Sequence, residues 1–297
     1  MHQSTLATVK TDSRRTFHAA LVVLLSLFHC ACHAPSNIRR STSTPKKIPA
    51  GVEVLIYTAS DGVTSTAWLR RGKGTPSPEQ PANLSRVGSA ILFCHGMGDN
   101  VDSFIPDFLA DAGYTVMTFN YRTDGPPRSV QRTNIAMRRD TLAALRLLRA
   151  QPGVEPDRVI AFGMSMGAGY ALAAGADAYQ HGEPLRAVVA SCGFSSWRRA
   201  AAGLYPVVGL FLAYTDGKDP IDDVVRLGTT PLMLTHARDD EIVDFTNALR
   251  LEHAARRASV NLTTLFTDEG GHIMSMIFDQ DFQGRIVRYC DEHLAPR

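Results

Sequence analysis

From residue 51 onward, short apolar runs alternate with stretches whose apolar residues recur every three or four positions. Val52 to Thr58 and Val63 to Leu69 flank Ser60-Asp61-Gly62, the pattern of two strands joined by a tight turn. Ala90 to Cys94 and Arg158 to Phe162 show almost no polar alternation, which predicts strands buried on both faces. Tyr114 to Phe119, Leu185 to Ala190, Pro231 to Thr235 and Asn261 to Phe266 complete the strand series. Helical spacing covers Asp107 to Ala112 (stopped by Gly113), Thr133 to Arg149, Met166 to Ala176, Val243 to Arg257 and Phe278 to His293. In the second of these, Ile135, Leu142, Leu145 and Leu148 share one face. Residues 72–87 form a Pro/Gly-rich loop. Strands alternating with helices predict an α/β fold: a mostly parallel eight-stranded sheet, built by right-handed crossovers, with helices on both faces. A ligand site then belongs at the carboxyl ends of the strands.

The first 50 residues follow no such pattern. Lys10, Arg14 and Arg15 precede a ten-residue apolar run, Ala19 to Phe28. A bilayer span needs about 20 such residues, so residues 1–34 read as an export signal. Cys30 and Cys32 close the run, and Cys32, after the small Ala31, is the candidate for a lipid anchor that attaches the protein to a membrane. The alternative, ordinary cleavage after Ala34, is disfavoured by Pro35. Residues 35–50, rich in Pro, Ser and Thr, read as a flexible linker, leaving 51–297 as the folded domain of an exported envelope protein.

Composition narrows the function. Lys+Arg 31 against Asp+Glu 29 leaves a formal charge of +2, which argues against a nucleic-acid partner. Cutting before Cys32 leaves 28 basic and 28 acidic residues, so the mature chain is formally neutral. Five cysteines without a CxxC pair argue against a zinc site or a disulfide scaffold, although Cys192 and Cys290 remain a conceivable disulfide pair in an exported protein.

Candidate chemistry enters with Gly163-Met164-Ser165-Met166-Gly167. Chance supplies about 0.1 copies of G-x-S-x-G in a chain of this size. Here the motif ends an apolar strand and opens a small-residue helix, so Ser165 falls on a sharp turn with its Oγ projecting from the sheet. A serine nucleophile needs a base, and the base needs an orienting carboxylate. Asp239 and Asp240 follow the strand ending at Thr235, and Gly270-Gly271-His272 follows the last strand. The order Ser, Asp, His is that of an α/β-hydrolase.

Residues 51–297 resemble the α/β-hydrolase superfamily, and within it the compact bacterial esterase, lysophospholipase and serine-aminopeptidase-like branch. The resemblance rests on Phe93-Cys94-His95-Gly96-Met97-Gly98, the GMSMG elbow, His236-Ala237-Arg238-Asp239-Asp240-Glu241-Ile242-Val243, and Gly270-Gly271-His272. It implies Ser165 as nucleophile, His272 as general base and Asp240 as the acid, with Asp239 the alternative because Ala237 replaces the usual Gly. It also implies an oxyanion hole from the backbone amides of Met97 and Met166, structural roles for His95, His236 and Arg122, and no metal or cofactor. Asp99, Asn100, Tyr121, Arg122 and Asp124 sit on loops after strand ends and are candidates for touching substrate. The apolar segment 192–229 reads as a short cap, or else as ordinary packing onto the sheet.

The expected activity is hydrolysis of small-molecule or lipid carboxylic esters through an acyl-enzyme. The rivals are a thioesterase or amide/peptide hydrolase of the same fold and, from another class, a catalytically silent binding protein. A serine at the elbow argues against the aspartate-nucleophile dehalogenases and epoxide hydrolases.

Overall fold

The structure is a computed structural model that describes residues 48–72, 86–97, 106–122, 133–204 and 217–296, all within one compact unit, Arg39–Arg297. The expected export signal, Cys32, most of the linker, Asp99, Asn100, Asp124 and the middle of the 192–229 segment lie outside the described residues.

Eight strands form one sheet: β1 (Val52–Thr58), β2 (Thr64–Arg70), β3 (Gly88–Cys94), β4 (Thr115–Phe119), β5 (Val154–Met164), β6 (Ala187–Ser191), β7 (Leu232–Ala237) and β8 (Leu262–Thr267). Their order is β1-β2-β4-β3-β5-β6-β7-β8. β2 runs antiparallel to β1 and β4, and every other neighbour is parallel. The unbroken apolar runs sit in the middle because both their faces are covered. In β3, Ala90, Leu92 and Cys94 point into one layer, while Ile91 and Phe93 point into the other.

The helices are α1 (Asp107–Asp111), α2 (Asn134–Arg149), α3 (Met166–Gln180), α4 (Trp197–Leu204), α5 (Pro220–Val224), α6 (Thr246–Arg257), α7 (Met274–Phe278) and α8 (Gln280–Leu294). Buried residues of α2, α3 and α6 pack on one face of the sheet and those of α1 and α8 on the other. None of the described helices is long and apolar enough to cross a membrane.

Three helices differ from expectation, each because a polar group overrides the apolar spacing. In α2, Ile135 is 42% exposed and Leu142 half-buried, whereas Asp140 and Thr141 turn inward. Asp140 accepts the Arg122 amide at 2.8 Å and its guanidinium at 2.7 Å, and Asp61 of the first turn holds the same guanidinium at 2.6 Å. A buried charge must be paired, so this cluster fixes the helix rotation. It also makes Arg122 structural, and it leaves Tyr121 and Arg122 buried, out of reach of a substrate. In α6, Val243 to Phe245 stay outside the helix because the Val243 backbone serves another partner, described below. The last helical stretch breaks at Asp279, whose backbone is extended (φ −93°, ψ 105°) and whose side-chain Oδ1 caps α8 by accepting the Phe282 amide at 3.1 Å.

The described ends of the 192–229 segment are fastened to the body of the domain. Trp197 stacks 5.0 Å from Tyr170 of α3 and donates its amide to Asp219 at 2.9 Å. At the amino ends of β3 and β4, Asp291 of α8 takes a bidentate pair from Arg86 at 2.7 Å, both side chains buried, and accepts the Tyr114 hydroxyl. Arg158 donates to the Leu294 carbonyl at 2.7 Å.

Candidate active site

Ser165 occupies the turn between β5 and α3 with φ 53° and ψ −120°. A non-glycine residue in this region stores about 1–3 kcal/mol and persists only when its surroundings dictate it. Here the surroundings are backbone. A Cβ at Gly167 would press on the carbonyls of Cys94 and His95, and one at Gly163 on that of Gly167, closer than real Cβ atoms approach. The Ser165 amide donates to the Ser191 carbonyl at 2.8 Å, which ties the elbow to β6. β3 and β5 end side by side, with Cys94 opposite Gly163, so the turn carrying Met97 lies against the start of α3. His95 is buried in that turn, its Nδ1 2.9 Å from the Gly96 carbonyl and its ring 4.7 Å from Tyr121. That matches a supporting role rather than a catalytic one.

His272 reaches the elbow from the loop after β8. Its Nε2 lies 3.0 Å from Ser165 Oγ and its Nδ1 2.8 Å from Asp240 Oδ2. The expected serine, histidine and acid thus come together from the ends of three strands. The second aspartate is placed elsewhere: Asp239 accepts the amides of Gly270 and Gly271, at 3.2 and 2.8 Å, and so clamps the loop that presents His272. Those glycines have φ 139° and 55°, conformations that other residues adopt only with strain. The adjacency of Asp239 and Asp240 is visible in the chain, but which carboxylate meets the imidazole and which meets the amides depends on the loop's turn.

Asp240 is enclosed by donors. Its Oδ1 accepts the amides of Ile242 and Val243 at 2.9 and 2.8 Å, and its Oδ2 faces His272 and, at 3.2 Å, His236 Nε2. Burial alone would push its pKa up, but the hydrogen bonds from His236, His272 and the Val243 amide outweigh it and hold the carboxyl well below its ordinary range. An ionised carboxylate can only accept, so Nδ1 of His272 carries the ring proton and Nε2 presents its lone pair to the serine hydroxyl. By the same reasoning His236 carries its proton on Nε2, because that atom also faces the Val243 carbonyl at 2.7 Å. His236 therefore braces the acid's loop, as expected.

Cys94, Cys192 and Cys290 are buried free thiols, so Cys192 and Cys290 form no bridge. Cys192 follows β6 and lies close to Asp240 and His272. Burial raises its pKa to about 11, which keeps it a neutral thiol and no rival to the serine.

Residues 100–297 match the prolyl oligopeptidase family. The chain belongs to that family. As a member of the prolyl oligopeptidase family, the chain is similar to YfhR of Escherichia coli K12, 26% identical over 230 residues, covering 76% of this chain and 75% of that protein. An esterase of Pyrococcus furiosus superposes with a TM-score of 0.66 at 17% identity, over 86% of this chain and 96% of its own. An acylaminoacyl peptidase of Pyrococcus horikoshii gives 0.63 at 16% identity, over 82% of this chain but 42% of its own. The superfamily read from four short motifs stands, and family and fold together make this prolyl oligopeptidase-family chain a serine hydrolase of the α/β type.

Proposed function

We propose that the protein hydrolyses carboxylic esters through Ser165, His272 and Asp240. The observation that carries the reading is the unbroken line of contacts from Asp240 through His272 to Ser165, at 2.8 and 3.0 Å. His272 Nε2 takes the Ser165 proton as Oγ attacks the acyl carbon, and Asp240 steadies the imidazolium that results. The amides of Met97 and Met166 are the proposed donors to the developing oxyanion, and each such donor typically lowers the barrier by ~2.7–4 kcal/mol. Met166 opens α3, so the helix dipole adds to its amide. The imidazolium then protonates the departing alcohol, and a water activated by the same Nε2 frees the acid.

The same groups cleave thioesters and amides, and the family match keeps the peptide-bond reading open beside the ester one. The test is hydrolysis of p-nitrophenyl esters from acetate to palmitate beside aminoacyl p-nitroanilides, with Ser165→Ala as control. Serine-dependent turnover confined to anilides would replace the ester reading with the peptide one. Absence of turnover on both, with no labelling of Ser165 by a fluorophosphonate, would leave a silent binding protein. Export directed by residues 1–34 and lipidation at Cys32 belong to the same proposal. They are tested by metabolic labelling with a fatty acid, which Cys32→Ser should abolish.

A further inference from the structure

Beside the serine, Cys192 joins two members of the proposed triad in a second constellation, and its sulfur is a group that ester hydrolysis does not require. The Cys192 sulfur, a carboxylate oxygen of Asp240 and a ring nitrogen of His272 all lie within 4.8 Å of one another. Cys192 is 5% exposed, has a left-handed backbone (φ 50°), and is fixed by its amide's bond to the Thr235 carbonyl at 2.8 Å. With Ser191, His236, Gly271 and Ile273 it borders a small cavity.

Sulfur, imidazole nitrogen and carboxylate oxygen form a donor set suited to zinc and poorly suited to calcium or magnesium, which prefer oxygen alone. A tetrahedral ion with bonds of about 2.0–2.3 Å holds its ligands roughly 3.3–3.8 Å apart. The pair of His272 Nδ1 and Asp240 Oδ2, now at 2.8 Å, would open by about half an ångström to admit it. A shift of the His272 loop by this amount would be taken up by stretching the Asp239 bonds to the Gly270 and Gly271 amides, at 3.2 and 2.8 Å.

We propose that Cys192, Asp240 and His272 form an inhibitory site for a thiophilic divalent cation of the Zn²⁺ class. On binding, the Cys192 S–H bond breaks, its proton leaves to solvent, and the sulfur lone pair bonds the ion. Nδ1 of His272 also gives its lone pair to the ion, and the proton it carried passes through solvent to Nε2. The ring stays neutral, one proton is released per ion, and nothing is oxidised or reduced. Nε2 now bears a hydrogen where the base needs a lone pair, so Ser165 loses its proton acceptor. The inhibition rests on the catalytic reading given above, whereas the binding does not.

The experiment titrates Zn²⁺ against initial ester hydrolysis by the purified protein in a non-chelating reductant, with each variant scaled to its own metal-free rate. In parallel, Cd²⁺ is titrated while its ultraviolet thiolate-to-metal absorption is followed. Zn²⁺ should inhibit the wild type reversibly on adding EDTA, and Mg²⁺ should not inhibit at all. Cys192→Ser and Cys192→Ala should raise the half-inhibitory Zn²⁺ concentration by at least about 10–100-fold and lose the cadmium band. Ser165→Ala, with no activity to inhibit, should keep the band. Equal zinc sensitivity in both Cys192 variants would overturn the proposal, as would a wild type with no band. If the band persists while Ser165→Ala still turns over ester, the metal site stands and the catalytic reading falls.

Discussion

The elbow that holds Ser165 and the pair of loops that hold Asp240 and His272 meet at one point, yet they are built by opposite means. The elbow is fixed by steric exclusion: two glycines let backbone touch backbone, and no side chain outside the turn is needed to aim the hydroxyl. The loops are fixed by directed hydrogen bonds, with Asp239 on two amides, Asp240 on two more, and His236 bridging to the Val243 carbonyl. A steric device fails abruptly when filled, whereas a polar device loses one bond at a time. The nucleophile's position should therefore be all or nothing and the base's position graded.

The largest effect should come from the elbow itself. Ser165→Ala should lower kcat by about 10⁶, since triad members act as one unit, and the folded protein should remain. Ser165→Gly should do the same while raising Tm, because glycine adopts φ 53° without strain. A lower Tm in that variant would show that the turn stores no strain. Asp240→Asn comes next, with kcat expected to fall by about 10⁴ as the imidazole loses its tautomer and orientation. If Asp239→Asn caused that loss instead, the two carboxylates would have exchanged roles.

Gly167→Ala tests the steric side alone. Overpacking of this kind costs about 1–3 kcal/mol or more, and thermal melting should record it even though Gly167 donates no side chain to the reaction. A melting curve like that of the wild type would mean that the turn between β3 and the elbow yields easily. Asp239→Ala tests the polar side, and kcat should fall by roughly 10-fold, with a change of less than ~1 kcal/mol in stability. Asp239→Asn, which keeps one acceptor oxygen, should recover part of the rate, while a purely structural role would change Tm and leave kcat alone.

The smallest effect concerns pH. The Asp240 carboxyl is held below its ordinary range, so its contribution to stability is complete above the unfolded value of about 3.9 and disappears only as pH falls through the lower folded value. Circular dichroism during acid titration should then show no loss of stability from Asp240 above about pH 3.9. A loss above that value in the wild type that is missing in Asp240→Asn would mean that the carboxyl is not held low.

How far the chain reveals its own fold follows from the same distinction. β3, β5 and β7 were legible because strands buried on both faces are written as unbroken apolar runs, and the elbow because its steric needs are met only by glycines at fixed offsets. Polar devices leave no periodicity. The inward turn of α2 depends on Asp140 meeting Arg122, which arrives from the loop after β4. The late start of α6 depends on Val243 serving Asp240, and the break at Asp279 on a cap that interrupts an otherwise helical pattern. For Asp239 the residue was visible in the chain and its partners were not.

Arg86 and Asp291 illustrate a separate consequence, one of timing. Their buried ion pair joins residues 205 positions apart in the chain. At roughly 5–20 residues per second, Arg86 is synthesised some ~10–40 s before its counter-charge. Throughout that interval the guanidinium has no place in a dry interior, and the layer formed by α1 and α8 cannot close. The nascent chain is thus kept open until synthesis is nearly finished, the state in which a polypeptide can be handed to a chaperone or threaded through a translocation pore.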